Sequence, residues 1–213
     1  MSAAPPIVSV ITRTKNRPEF LREAVASVAA QTLRPIEQIV VNDGGDDVEH
    51  VVAPFRDRLD VRYLSPGAVG RCKAANVALA AARGTWIAWL DDDDLFYPHH
   101  LKTLHDFAEA NAVKFVYGMA DVIRQTKDKT TGRYVDVSKA PGPTFEFSRL
   151  RLWMGGQLHL VSTLHHREVY DRLGGFDEGT PVLEDLEFWG RVSQDYVFKR
   201  CATTTAAYRL RDD

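Results

Sequence analysis

Four consecutive carboxylates, Asp91, Asp92, Asp93 and Asp94, close the apolar run Trp86-Ile87-Ala88-Trp89-Leu90. A short apolar run of this kind reads as a buried strand. The acids therefore stand at a strand end, where alternation lets Asp91 and Asp93 face one way and Asp92 the other. Adjacent anions repel by about 1 kcal/mol per pair at 4 Å even in bulk water. Folding offers little reason for that cost, whereas a divalent cation would offset it, and oxygen-rich clusters are what Mg²⁺ and Mn²⁺ prefer. The competing reading is an acidic loop or a helix start favoured by the helix dipole. Asp43 closes another apolar run, within Asn42-Asp43-Gly44-Gly45, a turn sequence suited to positive φ. Glu184 and Asp185 open a predicted helix, where the dipole alone would account for them.

The elements that would position these groups alternate. Residues 7–12 predict a strand, and from Pro18 onward Leu21, Val25 and Val28 recur at helical spacing. Residues 36–41 predict the next strand, 50–59 a helix interrupted by Pro54, and 61–64 a third strand. The alanine-rich stretch 70–82 predicts a helix, with Gly84 just past its end. A strand over 86–90 and a helix over about 98–110, with Leu101, Leu104 and Ala108 on one face, complete the series. This order predicts an α/β/α sandwich with a mostly parallel central sheet, in which ligands bind beyond the carboxyl ends of the strands. Asp43 and the acids at 91–94 stand at such ends.

Beyond about residue 110 the pattern changes. Residues 113–117, 118–123 and 134–137 predict strands around a polar turn at 127–132. Residues 167–173 and 183–193 predict helices, and 197–210 one or two closing strands. The expected organisation is a single domain over 1–213, with a nucleotide-binding half to about 110 and a substrate-shaping half from about 111.

At 213 residues, with 45% hydrophobic and 26% charged residues, the chain has the composition of a soluble globular protein. A net charge of −2 supplies no basic field, so no nucleic-acid partner is expected. Cys72 and Cys201 read as reduced thiols rather than a disulfide framework. No apolar run approaches the roughly 20 residues of a membrane span, and the first six residues lack the features of a signal peptide. The expected location is the cytoplasm. Trp153 and Met154 are candidates for an exposed contact surface between copies or for a lid. The chain stops soon after a predicted strand, as a fragment of a longer protein would.

Set in order, the motifs resemble the inverting glycosyltransferases of family 2, which have the GT-A fold. Val8-Ser9-Val10-Ile11 with Asn16-Arg17, then Gln31-Thr32 and Val40-Val41-Asn42-Asp43-Gly44, resemble its N-terminal signature. The stretch 70–76 resembles the segment before its second helix, and 84–94 with Pro98 and Leu101 its D-x-D region. Gly174-Gly175-Phe176-Asp177-Glu178 and Glu184-Asp185 resemble its late landmarks.

The resemblance implies a Rossmann-like nucleotide-sugar fold, a nucleotide-sugar donor (a UDP sugar by preference), a hydroxyl acceptor that is a sugar or lipid-linked, and Mn²⁺ or Mg²⁺ on the diphosphate. On that basis Asp43 is the candidate acceptor for the N3–H of a uracil-like base. Asp91 and Asp92 are candidates for ribose and metal-water contacts, and Asp93, with Asp91, for metal ligation. Asp185, beside Glu184, is the candidate general base. An inverting displacement needs a carboxylate opposite the leaving diphosphate to take the proton of the attacking hydroxyl. Asp177 and Glu178 compete for that role but suit a turn and cap.

The chain also departs from the family. Arg13 and Lys15 stand where proline and an aromatic are common; beside the nucleotide site they either contact base, ribose or phosphate or are simply solvated, and Arg13, Thr14, Asn16 and Arg17 are donor-site candidates. Ala75 replaces the usual arginine before Asn76, leaving Arg71 or Lys73 to supply charge to the diphosphate. His165-His166 replaces paired arginines and reads as structural, while His159 is a candidate for the acceptor side. The Gln-x-x-Arg-Trp motif of processive synthases is absent, which favours single addition. A sugar nucleotidyltransferase would need a glycine-rich loop after the first strand, and Thr12-Arg13-Thr14-Lys15-Asn16-Arg17 has no glycine. A catalytically silent nucleotide-sugar-binding module is the remaining alternative.

Overall fold

Buried β-branched residues build the first strand, β1 (Val8–Thr14). Helix α1 (Pro18–Ala29) begins with proline in its first turn and buries Leu21, Ala24, Val25 and Val28 at helical spacing. β2 (Ile36–Asn42) follows. The helix expected over 50–59 is instead α2 (Glu49–Val52) and a 3-10 turn at Ala53–Phe55. Pro54 lacks the N–H needed to continue the α-helical ladder. Next come β3 (Asp60–Leu64), α3 (Arg71–Ala81) and β4 (Trp86–Trp89). A computed structural model describes residues 4–143, 145–154, 158–180 and 182–212 of the chain.

After the acids comes a two-residue strand, β5 (Leu95–Phe96), before α4 (His100–Asn111). The run at 91–94 is therefore a turn between strands, and the helix-start reading fails. Residues 113–123, expected as two strands, form one, β6 (Phe115–Lys127). Gly118 is not a break: the register with the last strand shifts there, and a Cβ at Gly118 would lie 2.8 Å from Thr205 Oγ1. β7 (Tyr134–Pro141) hairpins onto β6, and α5 (Arg149–Trp153) follows. A 3-10 turn at Leu160–Ser162 leads into β8 (Thr163–His166), then α6 (Glu168–Leu173) and α7 (Glu184–Val192). One long strand, β9 (Phe198–Arg211), closes the fold.

The described residues form a nine-stranded sheet in the order β3-β2-β1-β4-β8-β6-β9-β5, with β7 beside β6. β3, β2, β1 and β4 are mutually parallel. β8 is antiparallel to both β4 and β6, and β9 runs parallel to β6, so β6 and β9 share the direction of the first four. The expected α/β fold with a mostly parallel central sheet is the observed one.

Side-chain alternation divides the core into two layers. Val8, Val10, Ala88 and Leu90 pack against α1 and α4 on one face. Ile11, Ile39, Ile87 and Trp89 pack against α3 and α7 on the other. Small residues on α3, among them Ala74, Ala75 and Ala78, are completely buried and let that helix lie close to the sheet. With both faces covered, the free ends of the parallel strands are where a ligand site can form. Met154 is exposed, as expected; the Trp153 side chain and Gln157 lie outside the described residues.

Candidate active site

Arg13, next to last in β1, ties the site together. Its Nε and Nη2 donate to the two Asp91 carboxylate oxygens, each at 2.9 Å, and its Nη1 donates to Glu184 Oε1 at 2.9 Å. Arg71, at the start of α3, reaches Glu184 Oε2 at 3.3 Å. Burial by itself lowers the Arg13 pKa, but Asp91 and Glu184 outweigh it and hold the guanidinium above its ordinary value. Burial likewise pushes Glu184 up, but Arg13 and its hydrogen bond prevail and keep this carboxylate ionised below the usual range.

Asp92 and Asp94 are buried, while Asp91 and Asp93 remain partly exposed, so the alternation expected of a strand end is kept through the turn. Asp92 accepts from Thr14 Oγ1 at 2.7 Å, yet burial pushes its pKa up to about 6. Asp94 accepts the Arg209 backbone N–H at 2.9 Å and is raised well above its ordinary value, again by burial. Asp93 meets Arg17 at 2.9 Å and Arg211 at 2.5 Å. The repulsion within the acidic run is thus offset by guanidinium groups from β1, from the loop after it and from the end of β9. Among the described residues no three Asp, Glu, His or Cys groups converge as a metal cage.

Asp43, just past β2, is oriented by another loop: its Oδ1 accepts from the Val69 N–H at 2.9 Å and the Gly70 N–H at 2.8 Å. The loops can approach because Gly44 has φ +73° and a Cβ there would fall 2.5 Å from Ala68. A cleft of about 410 Å³ runs from Asp43 and Arg71 past Arg13, Thr14 and Lys15 to Arg17 and the acids Asp91, Asp92 and Asp93.

A second cleft, of about 430 Å³, shares Arg13, Arg71 and Asp91 with the first and lies on the α7 side. Asp185 lines it, with Asp94, His159 and Tyr208, among leucines that include Leu158, Leu160 and Leu186. Burial raises the Asp185 pKa against the hydrogen bond from the Leu186 N–H at 2.8 Å. No ion pair reaches Asp185 among the described residues, whereas Glu184 is held by two.

Two predicted donor residues stand apart from the first cleft. Asn16, at φ +56°, accepts the Asp46 N–H at 2.8 Å and ties the loop after β1 to the loop after β2. Lys73 faces a smaller cavity beside Asp43, Arg71 and Glu178. His165 is a core residue, stacked on Phe115 and bonded to the Tyr170 hydroxyl at 2.7 Å, and burial brings its pKa down to about 3. Asp177 accepts from Gly179 N–H and Thr180 Oγ1 within its own turn. Arg209 and Arg211 were not foreseen in the site, nor was Tyr208, which stacks on His159 at 4.3 Å. Their one sequence signal is the alternation of Tyr208, Arg209, Leu210 and Arg211 along a terminal strand.

Comparison with known proteins fits this geometry. The family model described as Glycosyl transferase family 2 matches residues 9–174. The chain belongs to that family. The uncharacterized glycosyltransferase YwdF of Bacillus subtilis is 29% identical over 207 residues, covering 96% of this chain and 75% of its own. An uncharacterized glycosyltransferase of Rickettsia felis is 29% identical over 195 residues, covering 88% of this chain but only 31% of its own. The chain thus spans about a third of some relatives. Among solved structures, S. aureus TarS 1-349 in complex with UDP-GlcNAc superposes with a TM-score of 0.76 at 20% identity, over 97% of this chain and 59% of that one. The mannosyltransferase PcManGT from Pyrobaculum calidifontis, in complex with GDP-Man and Mn²⁺, gives 0.70 at 17% identity over 97% and 57%. These likenesses establish the GT-A fold.

Proposed function

We propose that the chain transfers one sugar from a nucleotide-sugar donor to an acceptor hydroxyl with inversion, and that the donor is a UDP sugar. The observation that carries the reading is the placement of two clefts that meet at Arg13, Arg71 and Asp91, with Asp43 in one and Asp185 in the other. Asp43, fixed by two backbone N–H groups through one oxygen, is the candidate partner of the base. Arg71 and Lys15 supply positive charge along the same cleft for the diphosphate, as Arg13 and Arg17 do beside the acids.

Asp185 is the candidate base. The acceptor oxygen attacks the anomeric carbon, its proton passes to the Asp185 carboxylate, and the bond to the β-phosphate oxygen breaks with the electron pair leaving on the nucleoside diphosphate. A carboxylate whose pKa is raised by burial is a better base than a solvated one. Glu184, paired with two arginines, instead holds Arg13 and Arg71 where the clefts meet.

The donor set fits a hard divalent cation, since Asp91 and Asp93 line the cleft and, although both Asp91 oxygens meet Arg13, Asp93 takes its two arginine contacts on Oδ2 alone; a cation that also takes diphosphate oxygens needs only one or two carboxylates. Mn²⁺ or Mg²⁺ held by Asp91 and Asp93 would offset charge on the leaving group. The comparison structures with bound UDP-GlcNAc and with GDP-Man and Mn²⁺ support donor and metal classes of this kind. Among the described residues no helix is long and apolar enough to cross a membrane. The test is release of free UDP from UDP sugars on addition of hydroxyl acceptors. Acceptor-dependent release supports transfer. Donor binding with no release from any acceptor would favour a silent binding module.

A further inference from the structure

A third cavity, of about 730 Å³, opens beyond Arg17, between the start of α1 and the β6–β7 hairpin. Its charge is one-sided. Arg17 and Arg211 line it, but both also meet Asp93. Arg22 on α1, and Lys127 and Arg133 on the hairpin, are exposed and have no carboxylate partner among the described residues. Two acids also line the cavity, and one of them, Glu23, is bonded to Arg209 at 2.5 Å. The hairpin acid Asp128 is turned into its own loop, where its Oδ1 accepts from the Thr130 and Thr131 N–H groups. In a chain of net charge −2 this leaves Arg22, Lys127 and Arg133 facing one hollow, opposed by Glu19.

The cavity is also built rather than merely charged. Phe20 and Tyr134 form a ring pair at 5.5 Å between α1 and β7, and the Arg211 guanidinium lies 4.9 Å from the Phe20 ring. Cations converging on a concave space repel one another unless an anion joins them, and planar guanidinium groups match phosphate oxygens in pairs. Two elements supply the charges, so one ligand with separated anionic groups can engage both.

We propose that this cavity is a second anion site that takes a molecule bearing more than one phosphate, separate from the donor cleft. The inference stands independently of the proposed activity. It is tested with tripolyphosphate, titrated calorimetrically without metal into the wild-type protein, into a variant with Arg22→Ser, Lys127→Ser and Arg133→Ser together, and into Arg71→Ser.

The expected result is binding that weakens by about tenfold or more in the triple variant, where three charge-assisted contacts are lost, and by no more than about twofold in Arg71→Ser. Equal binding by the triple variant and wild type, loss in Arg71→Ser alone, or no binding at all would overturn it. So would charge-dependent cosedimentation with phosphatidylglycerol vesicles in the absence of tripolyphosphate binding, since that describes a membrane contact. UDP titration with Mn²⁺ separates the two claims. The triple variant should retain UDP affinity, and failure of the wild type to bind UDP while tripolyphosphate binds would remove the donor reading and leave the cavity.

Discussion

Arg13 and Glu184 are 171 positions apart in sequence, yet Arg13 Nη1 lies 2.9 Å from Glu184 Oε1, both side chains nearly removed from solvent. With Asp91 on the other edge of the same guanidinium, this contact joins the end of β1, the turn after β4 and the start of α7. The two clefts therefore share a wall made of ion pairs. Removing one partner of a buried pair leaves an uncompensated charge, so Arg13→Met should destabilise the fold by about 3 kcal/mol near neutral pH.

The pH dependence of that loss has a definite sign. Folding lowers the Glu184 pKa, so its ion-pair stability is present above the unfolded value and is lost as pH falls through the lower, folded one. Denaturant unfolding should show the gap between wild type and Arg13→Met narrowing below the ordinary carboxylate range. A gap that stays constant into acid would mean that Glu184 does not depend on Arg13.

Asp185 is the proposed base, on its place in the second cleft first and on its raised pKa second. Asp185→Asn should cut transfer by about a thousandfold, within the usual range for loss of a general base, while UDP affinity stays within about twofold. In the wild type, the rate of the chemical step should rise with pH through a midpoint above the ordinary aspartate value, because the ionised form is the active one. Substantial turnover by Asp185→Asn would place the base elsewhere.

Asp43 anchors a neighbouring loop and is the proposed partner of the base, and one substitution can separate the two. Asn at this position keeps an oxygen to accept the Val69 and Gly70 N–H groups but loses the negative charge offered to a base N–H. Asp43→Asn should therefore weaken UDP binding by about tenfold, with a stability change under about 1 kcal/mol. Thermal unfolding together with competition by UDP and GDP checks both. Equal loss of stability and affinity would mean that the residue only anchors the loop.

Asp93 is the proposed metal ligand and, in this structure, an ion-pair partner of two arginines. Without metal it offsets the charge of Arg17 and Arg211. Asp93→Ala should abolish the gain in UDP affinity on adding Mn²⁺, while metal-free affinity holds or rises because those guanidinium groups become available to phosphate. An undiminished Mn²⁺ effect in the variant would exclude Asp93 as a ligand.

Much of this site is legible in the chain because its acids follow apolar strands. Asp43 and the run at 91–94 are marked by what precedes them, and an α/β order puts both at one edge of the sheet. The charge balance is not legible. Arg211 lies 118 positions from Asp93, and only the path of β9 beside β6 and β5 brings them together. Repulsion among the acids therefore does not by itself require a cation, because arginines already offset them. Asn16 and Lys73 have residue types and chain positions suited to the donor; in the structure Asn16, in a left-handed backbone, ties two loops together, and Lys73 lines a cavity beside Asp43 and Arg71 rather than the main cleft. Gly118 reads as a strand break when only its neighbours in sequence are considered; beside Thr205 it is a close approach between two strands.

On the proposed function, the cleft from Asp43 to Asp93 holds a uridine diphosphate with a divalent cation. Calorimetric titration of UDP and of GDP, each with and without Mn²⁺, tests it most directly. UDP should bind more tightly than GDP, and Mn²⁺ should strengthen its binding. Failure of a folded sample to bind either nucleotide, with or without Mn²⁺, would contradict it.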